Sequence, residues 1–318
     1  MKPKFTSFMA AIALSLSTTI AVAQDFPDRP VTIVVPYSPG STDTMARSLA
    51  EDMSSALGQP VVVESRPGAG GTVGATEVVN ADPDGYTLLM AVSSVQTVAP
   101  HQRELNYSFE DLKPIARVAV GPNVIAARSG APFSTMEEMI AYAKENPGSV
   151  SYGSAGTGGA THIAAEAIAQ AADIELFHIP FGGVTPAITA TIAGDVDVVL
   201  GFASAILPRG ESGQLVPLAQ LSDKRTSLAP DLPTLHDAGL NLSLPPNIGL
   251  WAPAGTPESV VSALAEAIKT SATGNTFSEF AANALVEINV AGPEEFLAVL
   301  QAEDTFFSKL LPTIDFSK

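Results

Sequence analysis

The stretch with the clearest chemical potential combines small and hydroxylic residues, Val150-Ser-Tyr-Gly-Ser-Ala-Gly-Thr-Gly-Gly-Ala-Thr-His162. A short β-type run breaks there into glycines and hydroxyl side chains, and a helical pattern follows. The first N–H groups of a helix have no intrahelical partner, and the helix dipole places partial positive charge at them. The stretch is therefore predicted to bind an anion.

A second stretch of the same design comes earlier in the chain, Val31-Thr-Ile-Val-Val-Pro-Tyr-Ser-Pro-Gly-Ser-Thr-Asp43. Its β-type run ends in a proline and glycine turn, and an amphipathic helical pattern follows over residues 42–57. We call residues 36–43 the first loop and residues 155–159 the second loop. We expect the two loops to face each other, so that two helix starts donate to one ligand.

Enzyme signatures are mostly absent. Ser154 lies in Gly-Ser-Ala-Gly instead of the Gly-x-Ser-x-Gly of a nucleophile elbow, so a secreted serine hydrolase is the alternative and a binding protein the preferred prediction. The four histidines have no metal-ligand spacing, and the chain has no cysteine. We therefore predict no metal, no cofactor and no catalysis.

Two glycine-rich segments also fail the nucleotide-binding patterns. Residues 150–162 have no Gly-Lys-Ser or Gly-Lys-Thr ending, and Gly68-Ala-Gly-Gly-Thr-Val-Gly74 is one residue too long for the dinucleotide spacing. The predicted anion is therefore not a nucleotide phosphate.

Composition restricts the class of partner. The 318 residues are 46% hydrophobic and 15% charged, which indicates a substantial core and two domains. A formal net charge of −17 argues against binding to nucleic acid or to anionic membrane surfaces. An anionic ligand would consequently need local donors.

The first 23 residues have the pattern of a secretory signal peptide. Lys2 and Lys4 precede an apolar run over residues 8–22, which ends in small residues at 21–23. That run is shorter than the ~20 apolar residues of a membrane span. We predict export to the periplasm without membrane insertion, and removal of the two lysines changes 16 basic residues to 14 and the net charge from −17 to −19.

From residue 30 onward β-type and helical segments alternate. The predicted strands span residues 31–36, 61–64, 86–90, 112–120, 123–127, 176–180, 196–201, 215–221 and 248–252, with a short one at the start of the 150–162 stretch. The predicted helices span 42–57, 72–81, 135–146, 160–172 and 187–193, with a long helix after residue 257 and a last helix from residue 293. This order predicts an α/β fold with mixed, largely parallel sheets and helices on both faces.

An ordered series of short motifs runs through nearly the whole mature chain. Its members are Pro27-Asp-Arg-Pro30, Val34-Val-Pro-Tyr-Ser-Pro-Gly40, Gly58-Gln-Pro-Val-Val-Val-Glu64, Arg66-Pro-Gly-Ala-Gly-Gly71, Asp84-Gly-Tyr-Thr-Leu88, Tyr152-Gly-Ser154, Pro186-Ala187, Pro230-Asp-Leu-Pro-Thr234, Ala238-Gly239 and Trp251-Ala-Pro-Ala-Gly-Thr-Pro257. In this order they resemble the Bug-type extracytoplasmic solute receptors, the binding proteins of tripartite tricarboxylate transporters.

The resemblance implies a two-domain periplasmic-binding-protein fold of the second type, with the ligand in the cleft between the domains. Domain 1 would comprise residues 24–122 and 249–318, and domain 2 residues 123–248, with a hinge near 121–124 and 246–250. The implied ligand is a small carboxylate held by backbone amides and ordered water. The implied partners are transporter membrane subunits, and a sensory receptor with a signalling partner stays open as the alternative. We expect a monomer.

The resemblance also assigns roles in the first loop. Its predicted ligand contacts are Tyr37 as an aromatic wall, Ser38 and Thr42 as hydroxyl donors, and Pro39, Gly40 and Ser41 as the turn that presents amides. Asp43 is favoured as a helix-terminus residue, and it would select an amino or hydroxyl group on the ligand if it faced the cleft. Arg47 is expected to pair with Asp43 or Glu51.

The opposite side of the cleft is assigned in the same way. The predicted donors are Gly153, Ser154, Gly156, Thr157 and His162, with Ser93, Ser94, Phe181, Gly182 and Gly183 along the sides and Asp197 as an acceptor behind them. For His162 a structural donor role near the helix start is favoured, and ligand contact is its alternative. Asp197 has a strand-end cap as its alternative, and both interpretations stay open.

Two features separate this chain from the usual family pattern. The first loop is one residue shorter, and Phe181-Gly182-Gly183 stands where many members carry Tyr-Lys-Gly. The second difference removes a hydroxyl and a cation. We therefore favour a mono- or dicarboxylate with an apolar body over a tricarboxylate.

Overall fold

The computed structural model describes residues 26–222, 224–284 and 286–314. The predicted signal peptide, residues 1–23, lies outside the described residues. Within the described ranges no helix has both the length and the apolar character to cross a membrane.

The described elements alternate much as the sequence predicts. The strands are β1 (Val31–Val35), β2 (Val61–Ser65), β3 (Thr87–Val92), β4 (Leu112–Val120), β5 (Asn123–Arg128), β6 (Val150–Ser154), β7 (Leu176–Pro180), β8 (Val198–Phe202), β9 (Leu215–Gln220), β10 (Asn247–Pro253) and β11 (Glu287–Ala291). The helices are α1 (Ser41–Leu57), α2 (Thr72–Val79), α3 (Ser94–Thr97), α4 (Ala99–Gln102), α5 (Met136–Glu145), α6 (Ala160–Ala172), α7 (Val184–Ala193), α8 (Ala203–Glu211), α9 (Glu258–Ala272), α10 (Asn275–Ala284) and α11 (Pro293–Leu310). The sequence did not indicate α3, α4, α8, β11 or a separate α10.

The strands form two sheets. The first has the order β11-β4-β10-β3-β1-β2, and the second has the order β7-β6-β8-β5-β9. Pairing is parallel within β3-β1-β2 and within β7-β6-β8, and antiparallel elsewhere. The mixed sheets are confirmed, but parallel pairing is less extensive than predicted, because the strands beside the connections between the sheets run the opposite way.

The chain passes between the two sheets at two adjacent segments. It leaves the first sheet between β4 and β5, at Gly121-Pro122, and returns between β9 and β10, after Pro245-Pro246. The Gly121 N–H donates to the Pro246 carbonyl at 3.0 Å, so the two crossing segments are hydrogen-bonded to each other. The proline and glycine breaks in the sequence coincide with these crossings.

Helices cover both faces of each sheet, as predicted. Successive strand residues point to opposite faces, so a strand buried on both sides is apolar at consecutive positions. In β1, Ile33 packs in the core beneath α1 and α9, whereas Val34 packs in the core that contains Phe296 of α11. In the second sheet, one core contains residues of α5 and α6, and the other contains residues of α7 and α8.

The end of α11 connects the two sheets in a way that the sequence does not indicate. Phe296 packs against the first sheet, but Leu310 and Leu311 lie in the core of the second sheet with Leu240 and Leu242. The C-terminal segment thus contacts both sheets.

Candidate ligand-binding site

The first loop joins β1 to α1 and leaves the helix start without a side-chain cap. Gly40 is the N-cap residue, with an extended backbone (φ 179°), and glycine has no side chain to accept from the first amides. Its carbonyl accepts from the Thr44 N–H at 2.9 Å and from the Thr44 hydroxyl at 3.0 Å, which fixes the first turn. The amides of residues 41–43 therefore lie at the positive end of α1 as candidate donors.

The Asp43 carboxylate is occupied within the protein. Arg47 donates to its two oxygens at 2.8 and 3.1 Å, and the Ser65 hydroxyl donates at 2.7 Å. The hydrogen bonds from Arg47 contribute most to lowering the pKa of Asp43. The predicted pairing of Arg47 with Asp43 is confirmed, and the contacts favour the helix-terminus interpretation of Asp43.

Tyr37 fixes the first loop against the end of β3. Its hydroxyl accepts from the Val92 N–H at 3.3 Å, and its ring lies 3.1 Å from the place where a Cβ of Gly71 would be. Burial raises the pKa of Tyr37 to about 12, so the phenol is neutral. The side chain is half-buried and forms a wall between the ends of β1 and β3, while Ser38 and Pro39 are exposed beside it.

The second loop uses most of its own amides. The Ala155 N–H donates to the Thr161 hydroxyl at 2.8 Å, and the Gly158 N–H donates to His162 Nδ1 at 3.0 Å. The amides of Gly156 and Gly159 also donate within the loop. The candidate donors to a ligand are therefore the Thr157 amide and hydroxyl, which are exposed, and the first turn of α6.

Ser154 lies beneath the second loop and not on its surface. Its side chain is 0% exposed, and its hydroxyl is 2.6 Å from His178 Nε2. The ring of His178 stacks on His162 at 3.8 Å and on Tyr152 at 5.0 Å between centroids. Burial and the neighbouring His178 lower the pKa of His162 to about 4, so the His162 ring is uncharged at neutral pH. The sequence did not indicate His178 as a partner of Ser154.

The sides of the predicted site divide into two groups. Phe181 is adjacent to the second loop, because its N–H donates to the Ser154 carbonyl at 3.0 Å, and Gly182 and Gly183 follow it into α7. Ser93 is buried at the end of β3, where its N–H donates to the Asn247 carbonyl at 2.8 Å. Ser94 begins α3 and is half-buried.

Asp197 is not brought to the second loop. It precedes β8 and accepts from Arg128 at 3.0 Å and from the Ser151 hydroxyl at 2.8 Å. Ser151 lies near the start of β6, whereas the second loop follows the end of that strand. These contacts favour the strand-end interpretation of Asp197.

Residues 102 and 103 link the second loop to the first sheet. Gln102 of α4 donates to the Gly158 carbonyl at 2.7 Å, and Arg103 donates to the Ala69 carbonyl. Ala69 belongs to the turn that also contains Gly71, which Tyr37 contacts. One chain of contacts thus runs from the second loop through α4 to the first loop.

A separate surface depression of about 540 Å³ lies between α9 and β11. Its charged side chains, Glu266 and Lys269, are exposed and lie 3.9 Å apart. Among the described residues, no group of three or more His, Asp or Glu side chains is placed to hold a metal ion.

Comparison with known proteins identifies the family. The model of the tripartite tricarboxylate transporter family receptor, TctC, matches residues 45–306. A UPF0065 protein of Bordetella pertussis is 36% identical over 282 residues, which cover 88% of this chain and 87% of that protein. The chain belongs to the tripartite tricarboxylate transporter receptor family. This receptor is also 32% identical to the protein BugT of Bordetella pertussis, over 80% of this chain and 81% of BugT.

Solved structures agree with this family and with the fold. A TctC solute-binding protein from Polaromonas has a TM-score of 0.84 at 29% identity, over 91% of the receptor and 100% of that chain. The R. palustris protein Rpa4515 with adipate has a TM-score of 0.73 at 26% identity, over 91% and 98% of the two chains. MatC from Rhodopseudomonas palustris with bound malate has a TM-score of 0.71 at 27% identity, over 90% and 99%. The predicted Bug-type family and the periplasmic solute-binding fold are confirmed.

Proposed function

We propose that this receptor binds a small mono- or dicarboxylate between the first and second loops. The observation that carries the proposal is the pair of helix starts, α1 and α6, which begin after Gly40 and Gly159 and have no side-chain cap. A carboxylate between them can accept several charge-assisted N–H bonds of ~1.5–3 kcal/mol each. A protein with a net charge of −17 can hold an anion in this way without a cationic side chain at the site.

The contacts within the loops divide the predicted site residues by role. The exposed Ser38 and Thr157 hydroxyls, with the amides at the starts of α1 and α6, are the proposed ligand donors. Asp43 and Ser154 hold the loops, because their polar atoms are bonded within the protein. His162 supports the second loop by accepting from Gly158.

The proposed ligand class has support from relatives and from this chain. Adipate and malate are named in the structures of two similar proteins. Both are dicarboxylates, which agrees with a site built from more than one anion-binding helix start. Phe181-Gly182-Gly183 contributes no cation, which favours a ligand with few charges and an apolar body.

We also propose that the receptor resides in the periplasm and delivers its ligand to transporter membrane subunits. Both proposals are supported by the family and by the signal pattern in residues 1–23. We further propose that the receptor is a monomer whose domains, 24–122 with 249–318 and 123–248, close about the hydrogen-bonded crossing segments at Gly121 and Pro246.

A thermal-shift screen of mono-, di- and tricarboxylates with the mature protein tests the ligand class. A ligand at 100 times its Kd should stabilise the protein by ~2.7 kcal/mol and raise its Tm. We expect mono- or dicarboxylates to raise the Tm more than citrate does. A screen in which no carboxylate shifts the Tm, or in which only citrate does, contradicts the proposal.

A further inference from the structure

Phe202 is a large aromatic side chain that stays exposed where the two sheets meet. It is the last residue of β8, and 45% of it is exposed. Its partner in β5 is Asn123, the first strand residue after the crossing. A Cβ on Gly121 would lie 3.2 Å from the Phe202 ring, so the ring lies along the crossing segment itself.

The alternation of side chains along β8 places the Phe202 ring on the face of the sheet that α6 covers. Val198 and Leu200 belong to the core beneath α6, whereas Val199 belongs to the core on the opposite face. Alternate residues of a strand share a face, so Phe202 follows Leu200 onto the α6 face. The ring is therefore on the face where the second loop leads into α6.

The neighbouring strand brings the second loop to the same edge. β6 and β8 pair in parallel, with Gly153 opposite Val199, so both strands end at one edge of the sheet. Tyr152 packs in the core beneath α6, and Ser154, two residues on, shares its face. The second loop and Phe202 thus lie at the ends of two adjacent strands, β6 and β8, on the same face of the sheet.

The first sheet closes this region from the other side. Val98, between α3 and α4, packs in the same core beneath α6, and Gln102 reaches the Gly158 carbonyl. Phe202 therefore lies between the crossing segments, the second loop and the segment around α4.

We propose that Phe202 is a specificity-determining residue whose ring contacts the apolar body of the ligand. The inference rests on the proposed function, because the helix starts must hold the carboxylate while the ring contacts the remainder. Methylene groups or an aromatic ring would leave water on contact with Phe202, whereas a hydroxylated or charged body would lose hydration there. The ligand class is thereby narrowed to carboxylates with an unsubstituted aliphatic or aromatic body.

Calorimetric titration of two homologous series tests this role. The probes are butyrate, hexanoate and octanoate, and succinate, adipate and suberate, titrated into the wild type and Phe202→Asn. The matched control is Phe177→Asn, since Phe177 is 58% exposed and lies in β7, the edge strand of the same sheet. In at least one series, wild-type affinity should rise about threefold to fourfold per methylene up to the length of the site. Phe202→Asn should reduce the rise in affinity to less than about twofold per methylene, and Phe177→Asn should show the same rise as the wild type.

The outcomes separate this inference from the proposed function. If the wild type binds carboxylates and Phe202→Asn keeps the wild-type rise, the role of Phe202 is overturned and carboxylate binding stands. If the wild type binds no member of either series, the role of Phe202 is overturned, and the thermal-shift screen decides separately whether the receptor binds another carboxylate. The Tm of the ligand-free variant reports its folding. If Phe202→Asn does not fold, Phe202→Leu is titrated with phenylacetate and hexanoate. A larger loss of affinity for phenylacetate than for hexanoate supports the role of Phe202. Wild-type affinity for both probes overturns it.

Discussion

His178 Nε2 lies 2.6 Å from the Ser154 hydroxyl, although the two residues are 24 positions apart in the sequence. This is the separation of a nucleophile and its base in a hydrolase. Here, however, the serine is 0% exposed and lies under the second loop. Its hydroxyl also accepts from the Gly156 N–H at 3.2 Å. The pair therefore supports the loop instead of presenting a nucleophile to a substrate.

Replacing Ser154 by alanine should lower stability without removing any enzymatic activity. The change removes the hydroxyl that contacts the His178 ring and accepts from the Gly156 amide, which should cost about 1–3 kcal/mol in the free energy of unfolding. Urea denaturation measures this cost. Ser149→Ala, at an exposed position, is the control and should change stability by less than about 0.5 kcal/mol. Hydrolysis of ester or amide substrates by the wild type that disappears in Ser154→Ala would contradict the structural role.

His162 should make the protein less stable in mild acid. Its pKa is lowered to about 4 by burial and by His178, whereas an unfolded histidine titrates near 6.5. Between these values the unfolded chain binds a proton that the folded protein does not bind. The free energy of unfolding therefore falls as the pH falls through this window, by about 2 kcal/mol between pH 7 and pH 5 for this one group.

The matching experiment compares urea denaturation at pH 7 and pH 5. In His162→Gln the loss of stability between the two pH values should be smaller than in the wild type by about 2 kcal/mol. His236→Gln, which changes an exposed histidine, should keep the wild-type difference. An unchanged pH dependence in His162→Gln would show that the buried ring does not titrate as described.

Asp43→Asn should destabilise the protein through the start of α1. The carboxylate is 8% exposed and accepts from Arg47 and Ser65, and its hydrogen bonds with Arg47 lower its pKa. That stabilisation is present above the usual pKa of an aspartate and is lost as the pH falls below it. The expected cost at pH 7 is about 1–3 kcal/mol, measured by urea denaturation. Glu258→Gln, with a side chain 82% exposed, should cost no more than about 0.5 kcal/mol, and equal costs would contradict the argument.

Local sequence signals predict the elements that depend on neighbours in the chain. The bounds of α6, β4 and β7 agree with the prediction, because each segment has a continuous pattern bounded by glycine, proline or a polar turn. α8 was missed because Pro208 and Gly210 within it are typical of a turn. β11 was missed because it is short, mostly half-buried and, among the described strands, paired only with the distant β4.

The candidate site was predictable to the extent that it depends on spacing along one helix or loop. The two helix starts and the Asp43–Arg47 pair follow from such spacing. The contact of Ser154 with His178 depends on β6 and β7 lying side by side, which a local pattern does not reveal. Phe202 was missed for a related reason: an apolar residue at a strand end is expected in a core, whereas Phe202 lies exposed beside the crossing segment at Gly121.

The central claim is that the starts of α1 and α6 hold the ligand carboxylate, and Gly40→Asp tests it most directly. Gly40 has an extended backbone that any residue adopts, and the nearest atom to an added Cβ is the Ser38 carbonyl at 3.6 Å. Aspartate is a favourable N-cap, so the ligand-free variant should be as stable as the wild type or a few tenths of a kcal/mol more stable. Its carboxylate would occupy the donors that the ligand needs.

Gly292→Asp is the matched control, since Gly292 is the N-cap of α11 and an added Cβ there has no atom within 4 Å. The measurement is calorimetric titration of both variants with the carboxylate that gives the largest Tm shift in the screen. We predict that Gly40→Asp loses at least about 100-fold in affinity while Gly292→Asp binds as the wild type does. Wild-type affinity in a folded Gly40→Asp variant would contradict the claim.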